Sequence, residues 1–227
     1  MLAFAGGSNV IVNIVIYLVP MILSLTVHEY AHARVAWALG DDTASRQGRL
    51  TLNPIEHIDV LGTLIIPAVN VLAGGFALIG WAKPVPVSPV RFNRKVTMRT
   101  GMILTAAAGP VSNLLLAIIS IAVATVLVRV APTVLYAAGP TAVAKLLQAM
   151  FIMNIGLCIF NLLPLPPLDG SRLLPRSMDH IAAAIAPYSF LILLVFINLP
   201  FLRTWLLERP VVATASILQN LFGTSLW

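Results

Sequence analysis

Apolar residues run in long blocks along this chain, and a period-2 alternation with polar residues is missing. The blocks cover residues 9–39, 62–80, 102–128, 141–163 and 181–202. The first predicts one helix of about 46 Å at 1.5 Å per residue, longer than a hydrocarbon core of about 30 Å, ended by Gly40 and the polar "DDTASRQGRLTLNP". Blocks 102–128, 141–163 and 181–202 predict three further spanning helices. Block 62–80 is interrupted by Pro67, Asn70, Gly74 and Gly75, and the following "FALIGWAKPVPV" contains two X-Pro steps that favour extended backbone. Pro164, Pro166 and Pro167 stop the helix before "LDG", because proline lacks an N–H and fixes φ. Residues 211–226 are mildly amphipathic and suit a membrane interface. The expected fold is an all-α polytopic membrane protein with about five membrane-embedded helices plus a re-entrant or strand-like segment. It is expected to form one integral domain over 1–227, with a core at about 15–175 and C-terminal helices at 181–226.

Composition agrees with this pattern: 59% of the 227 residues are hydrophobic and 10% charged, against about 25% charged in soluble domains. Mean hydropathy is +0.95. The one cysteine, Cys158, excludes a disulfide framework and a Cys-rich metal site. The N-terminal "MLAFAGGSNV" has no basic region before its apolar run, so the first helix is expected to remain in the mature chain. The net charge of +6 is concentrated: residues 82–101 hold Lys83, Arg91, Arg94, Lys95 and Arg99 with no acid. Between apolar blocks, such a loop marks a cytoplasmic segment rather than a nucleic-acid surface.

Within the first block stands "HEYAH". His28 and His32 are four apart, so one helix face carries both imidazoles a turn apart, able to share a metal ion. Glu29 sits about 100° round the helix, near enough to take a proton from water at that ion. Ionisable groups at this depth are costly unless paired, coordinated or hydrated, and one zinc site would account for all three. The bland alternatives are a polar helix-packing cluster and a chance match. A hydrolytic zinc site needs a third ligand, and His57, His180, Asp59, Asp169 and Asp179 are candidates. Asp169 is the best placed, because the prolines before it unwind the backbone and Gly170 allows a tight turn.

"HEYAH" in an early membrane helix, "NLLPLPPLDG" after a later one and "AGPVSN" at 108–113 together closely resemble the site-2 protease family of intramembrane zinc metalloproteases. "GRLTLNPIEHIDVLGT" and "GWAKPVPV" resemble its small bacterial branch without PDZ or CBS domains. The resemblance covers roughly residues 15–175. It implies that His28, His32 and Asp169 bind one Zn2+, that Glu29 is the general base, and that Asn161 and Asn113 help position substrate or the active-site backbone. Tyr30 stands where Phe or Leu is commoner. His57 is a possible accessory ligand or gate, with turn hydrogen bonding as its default role.

If the 82–101 loop is cytoplasmic, the 102–128 helix runs outward and the 141–163 helix inward, leaving Asp169 near the cytoplasmic face. The histidines reach the same ion only if the first helix also runs inward, so 62–80 must dip in and return, broken at Gly74 and Gly75. The expected protein is a multi-pass component of the bacterial inner membrane with its active site toward the cytoplasm. Its partners are the bilayer and transmembrane protein substrates, which must unwind locally, and nucleic acid is not among them. Donors such as Asn161 would steady the oxyanion. A transporter or metal permease would carry more charged residues in its spans than Lys145, and a catalytically silent binder would have lost one of the four site groups.

Overall fold

The computed structural model describes residues 10–67, 69, 80–137 and 139–225. Helix α1 spans Val10–Ala38, α2 Met98–Val130 and α3 Ala142–Asn161. These three are long and apolar enough to cross a membrane, and no strand occurs among the described residues.

Helix α1 ends as the sequence predicts. Gly40 is left-handed, with φ of +104°, and Gly40 N donates to Trp37 O while Asp41 N donates to Ala36 O, capping two orphan carbonyls. Asn93 N donates to Leu39 O at 2.6 Å, so the end of α1 lies beside the approach to α2. At the start of α2, Arg99 pairs with Asp179 at 3.1 Å and donates to Leu174 O, both in the chain that follows α3. The C-terminal ends of α1 and α3 and the N-terminal end of α2 therefore share one face, with α2 antiparallel to the other two.

Helix α2 packs against both α1 and α3. Its buried residues include Gly101, Thr105, Gly109, Asn113, Ala117 and Ile121. That ladder at i, i+4 keeps mostly small side chains on one face and lets neighbouring backbones approach closely. Ile121 and Ala124 of α2 meet Phe151 and Ile155 of α3 in the main apolar cluster. Asn154 of α3 donates to Ser24 Oγ of α1 at 2.9 Å, an interhelical bond worth about 0.6 kcal/mol in a membrane setting.

The expected spanning helix at 181–202 is not continuous. Helix α4, Asp179–Ile185, passes through a 3-10 turn at Ala186–Tyr188 into α5, Ser189–Asn198, and Leu199 is extended before a new helical turn at Pro200–Arg203. Pro187 and Pro200 each withhold an N–H, and their rings crowd the carbonyl four residues back, which outweighs the apolar composition. A π-helical turn, Thr204–Glu208, then leads into α6, Arg209–Phe222. A similar π turn, Val60–Ile65, precedes Pro67. Helix α6 packs Val211, Ala215, Leu218 and Phe222 against α2 and α3.

Of block 62–80, Asn70, Gly74 and Gly75 lie outside the described residues. The chain is back at Gly80 beside Gly62 and Pro67, where Trp81 N donates to Gly62 O at 3.1 Å. Both ends of that stretch are thus adjacent. Residues 80–88 belong to no helix or strand, and Ser88 has extended dihedrals.

Candidate metal centre

Helix α1 carries His28 and His32 one turn apart, with ring centroids 4.6 Å apart and planes nearly perpendicular. His28 lies about 15 Å and His32 about 9 Å from the end of α1 at the helical rise. Asp169 arrives from the end of α3, where the proline-rich turn leads into a 3-10 turn at Asp169–Leu173. Its Oδ2 is 3.2 Å from Nε2 of each histidine, and the two Nε2 atoms are 3.0 Å apart. These groups could hold one metal ion.

The donor chemistry fits a cation. His32 Nδ1 lies 2.7 Å from Thr105 O. A carbonyl only accepts, so Nδ1 bears the proton, and in the neutral ring Nε2 carries a lone pair. Asn113 stands 3.2 Å from Nδ1 of His28. With its amide oxygen turned to that atom, Asn113 accepts Nδ1–H, and its buried Oδ1, otherwise without a partner, gains one. Nε2 of His28 then also presents a lone pair. Asp169 Oδ2 is buried and makes no hydrogen bond of good geometry. Three lone-pair atoms thus face one another at 3.0–3.2 Å, repulsive alone but close to the edge of about 3.3 Å that a tetrahedral zinc with ligands at 2.0–2.1 Å requires.

Two glycines make this convergence possible. A Cβ on Gly109 would lie 2.5 Å from His28 Cε1 and from His32 Nε2, so α2 presses bare backbone onto the imidazoles. A Cβ on Gly170 would fall on the carbonyls of Leu162 and Leu163, so the turn bearing Asp169 is folded against the end of α3. Gly170→Ala is expected to destabilise the fold by about 2 kcal/mol or more and to lower metal content with it. Thermal unfolding in detergent and zinc analysis check this, and a wild-type melting point with full zinc would speak against the tight turn.

Glu29 stands next to His28 but points elsewhere in its hydrogen bonding: its Oε2 accepts from Val85 N at 2.8 Å. The 80–88 stretch therefore reaches the site through its main chain.

The other candidates lie in separate roles. Asn161 donates its amide to Leu157 O at 3.0 Å, back on its own helix, and not to the histidines or Asp169. His57 is buried, with Nε2 donating to Thr51 O and its carbonyl accepting from Lys83 N. Asp59 caps the π turn by accepting from Gly62 N, Asp179 pairs with Arg99, and His180 is exposed. Sequence reasoning did not single out Gly109, Thr105 O, Val85 N or Arg49. The i, i+4 ladder of small residues on α2 is the signal that could have found Gly109.

The family model described as Peptidase family M50 matches residues 127–203, which include Asp169. The chain is 42% identical over 186 residues to a Bacillus subtilis (strain 168) protein named "Putative zinc metalloprotease YwhC", covering 80% of each chain. It is 28% identical over 191 residues to "Putative zinc metalloprotease Rip2" of Mycolicibacterium smegmatis, covering 82% of this chain and 68% of the relative. With the Mycobacterium tuberculosis (strain ATCC 25618 / H37Rv) protein of the same name it shares 29% identity over 208 residues, 90% of this chain and 72% of the relative. No solved structure matches the chain. Identity at that level across most of both chains, together with the family match over the Asp169 turn, shows that this chain belongs to peptidase family M50, the site-2 protease family.

Proposed function

We propose that the chain is an integral-membrane zinc metallopeptidase that hydrolyses peptide bonds within or near the transmembrane segments of membrane-protein substrates. In this reading one Zn2+ is held by His28, His32 and Asp169, and Glu29 is the general base. The observation that carries it is the triangle of Nε2, Nε2 and Oδ2 atoms with 3.0–3.2 Å edges, with Glu29 on the same helical turn.

Zinc held there supplies a Lewis acid that activates water and polarises a carbonyl. The protein's own groups do the rest. Glu29 takes the proton of the attacking water and returns it to the leaving amine, so that no net proton is consumed at the carboxylate. Asn113 and Thr105 fix the histidine tautomers through Nδ1, keeping both Nε2 lone pairs directed inward. Asn161 contributes to substrate positioning when its amide exchanges Leu157 O for a substrate carbonyl.

The depth of the histidines favours cleavage below the membrane surface, where a substrate helix shields its peptide bonds and must open. The common face of the α1, α2 and α3 ends, joined to the basic 82–101 loop, favours a cytoplasmic-facing site in a bacterial inner membrane. A single domain over 1–227 agrees with α6 packing on α2 and α3. Dialysis of the purified protein against a strong chelator, followed by one equivalent of zinc per chain, tests the reading. Cleavage of a tagged single-span polypeptide should vanish and then return, and undiminished cleavage by zinc-free protein would refute it.

A further inference from the structure

Residues 81–88 form a strap anchored by hydrogen bonds at Trp81, Lys83, Val85 and Ser88. Trp81 N donates to Gly62 O and Trp81 O accepts from Thr63 Oγ1. Lys83 N donates to His57 O at 2.9 Å, and Lys83 O accepts from Arg49 Nη2 at 2.6 Å. Val85 N donates to Glu29 Oε2 at 2.8 Å, and Ser88 N donates to Asp41 Oδ2 at 2.6 Å. Pro84 and Pro86, between these anchors, have no N–H to offer.

Two of these anchors are unusual. Glu29, beside the metal triad, spends a carboxylate oxygen on a main-chain N–H that cannot swing away as a side-chain donor could. Arg49 is 5% exposed, makes no ion pair with any described carboxylate, and directs its guanidinium at the carbonyl two residues before Val85. Burying a guanidinium without a counter-ion is costly. A loop clamp of no catalytic consequence could use a neutral donor.

We infer that the 81–88 strap sets the position of the Glu29 carboxylate through Val85 N–H, with Arg49 as the positioning residue that fixes the strap at Lys83. This rests on the reading of Glu29 as the base. The strap arrives already ordered on the 41–63 segment, through Asp41, Arg49, His57 and Thr63, and the carboxylate inherits that order. Displacement of a catalytic group by about 1 Å can cost on the order of 100-fold in rate.

Hydrogen exchange of the purified, zinc-loaded full chain in detergent reads this directly, because residues 83–87 contain only the Lys83, Val85 and Val87 amides. Glu29→Ala removes the acceptor and should speed Val85 exchange by about tenfold or more, whereas Glu29→Gln keeps an oxygen there and should leave it near wild type. Arg49→Met should lower kcat for a tagged single-span polypeptide by about tenfold or more, with KM and zinc content near wild type and Val85 exchange faster. Val85 exchange that is indifferent to Glu29→Ala, or an Arg49→Met protein with wild-type kcat, overturns the inference. Should Arg49→Met not fold, the Glu29→Ala exchange measurement decides alone. Cleavage by Glu29→Gln at the wild-type rate would instead remove the base assignment itself, a different failure from an unresponsive Val85 amide.

Discussion

Glu29→Gln is expected to lower kcat by about 10²–10⁴-fold, the usual worth of a positioned general base, while zinc content stays at one per chain. The substitution is nearly isosteric. Its carbonyl oxygen can still accept from Val85 N, so the strap and α1 keep their places. Glu29 is not among the three groups that converge on the candidate ion, so the metal is not released. What disappears is the ability to accept a proton from the attacking water and hand it to the leaving amine. Each factor of ten corresponds to about 1.4 kcal/mol of barrier, so the expected loss is about 3–6 kcal/mol. Single-turnover cleavage in detergent, with zinc measured on the same sample, separates this outcome from metal loss.

The second large effect is expected from Gly109→Ala, which should weaken zinc binding by about 100-fold or more. The added methyl would stand 2.5 Å from His28 Cε1 and His32 Nε2 and 2.6 Å from His28 Nε2, whereas carbon atoms in contact settle at about 3.5–4.0 Å. Relief requires α1 and α2 to part by about 1 Å or both rings to turn out of the ligating plane. Parting stretches the bonds from Thr105 O and Asn113 to the two Nδ1 atoms, and losing such outer partners alone costs about 10–100-fold in affinity. Gly101→Ala is the control on the same helix, since its Cβ would meet the Phe92 ring and not the histidines. Competition against a chelator should show Gly101→Ala near wild type and Gly109→Ala far weaker; equal affinities for the two would mean that α2 does not press on the rings.

The sequence made part of this centre legible because part of it is local. Two histidines at i, i+4 on one helix must share a face, and that follows from 3.6 residues per turn alone. Asp169 was reachable because prolines and a glycine announce a turn after α3. The X-Pro steps explain why 80–88 forms no helix, and glycine's tolerance of positive φ explains the Gly40 cap. The remainder depends on contacts between residues far apart in the chain. Val85 meets Glu29 across 56 positions and Asn113 meets His28 across 85, and no local periodicity encodes such pairs. Gly109 matters through the space it leaves, so its role emerges only when α1 is packed against α2. Segment 181–202 departs from the continuous span its apolar content predicts, because Pro187 and Pro200 interrupt it. A proline inside a helix costs about 3 kcal/mol, and breaks at Leu199 and in the Ala186–Tyr188 turn are the result.

Zinc K-edge X-ray absorption on the purified, zinc-loaded chain tests the central claim most directly. A first shell of nitrogen and oxygen at about 2.0–2.1 Å, with outer scattering from two imidazoles that falls to one in His28→Ala, is the predicted spectrum. A zinc environment that lacks imidazole, or one left unchanged by both His28→Ala and Asp169→Ala, would contradict it.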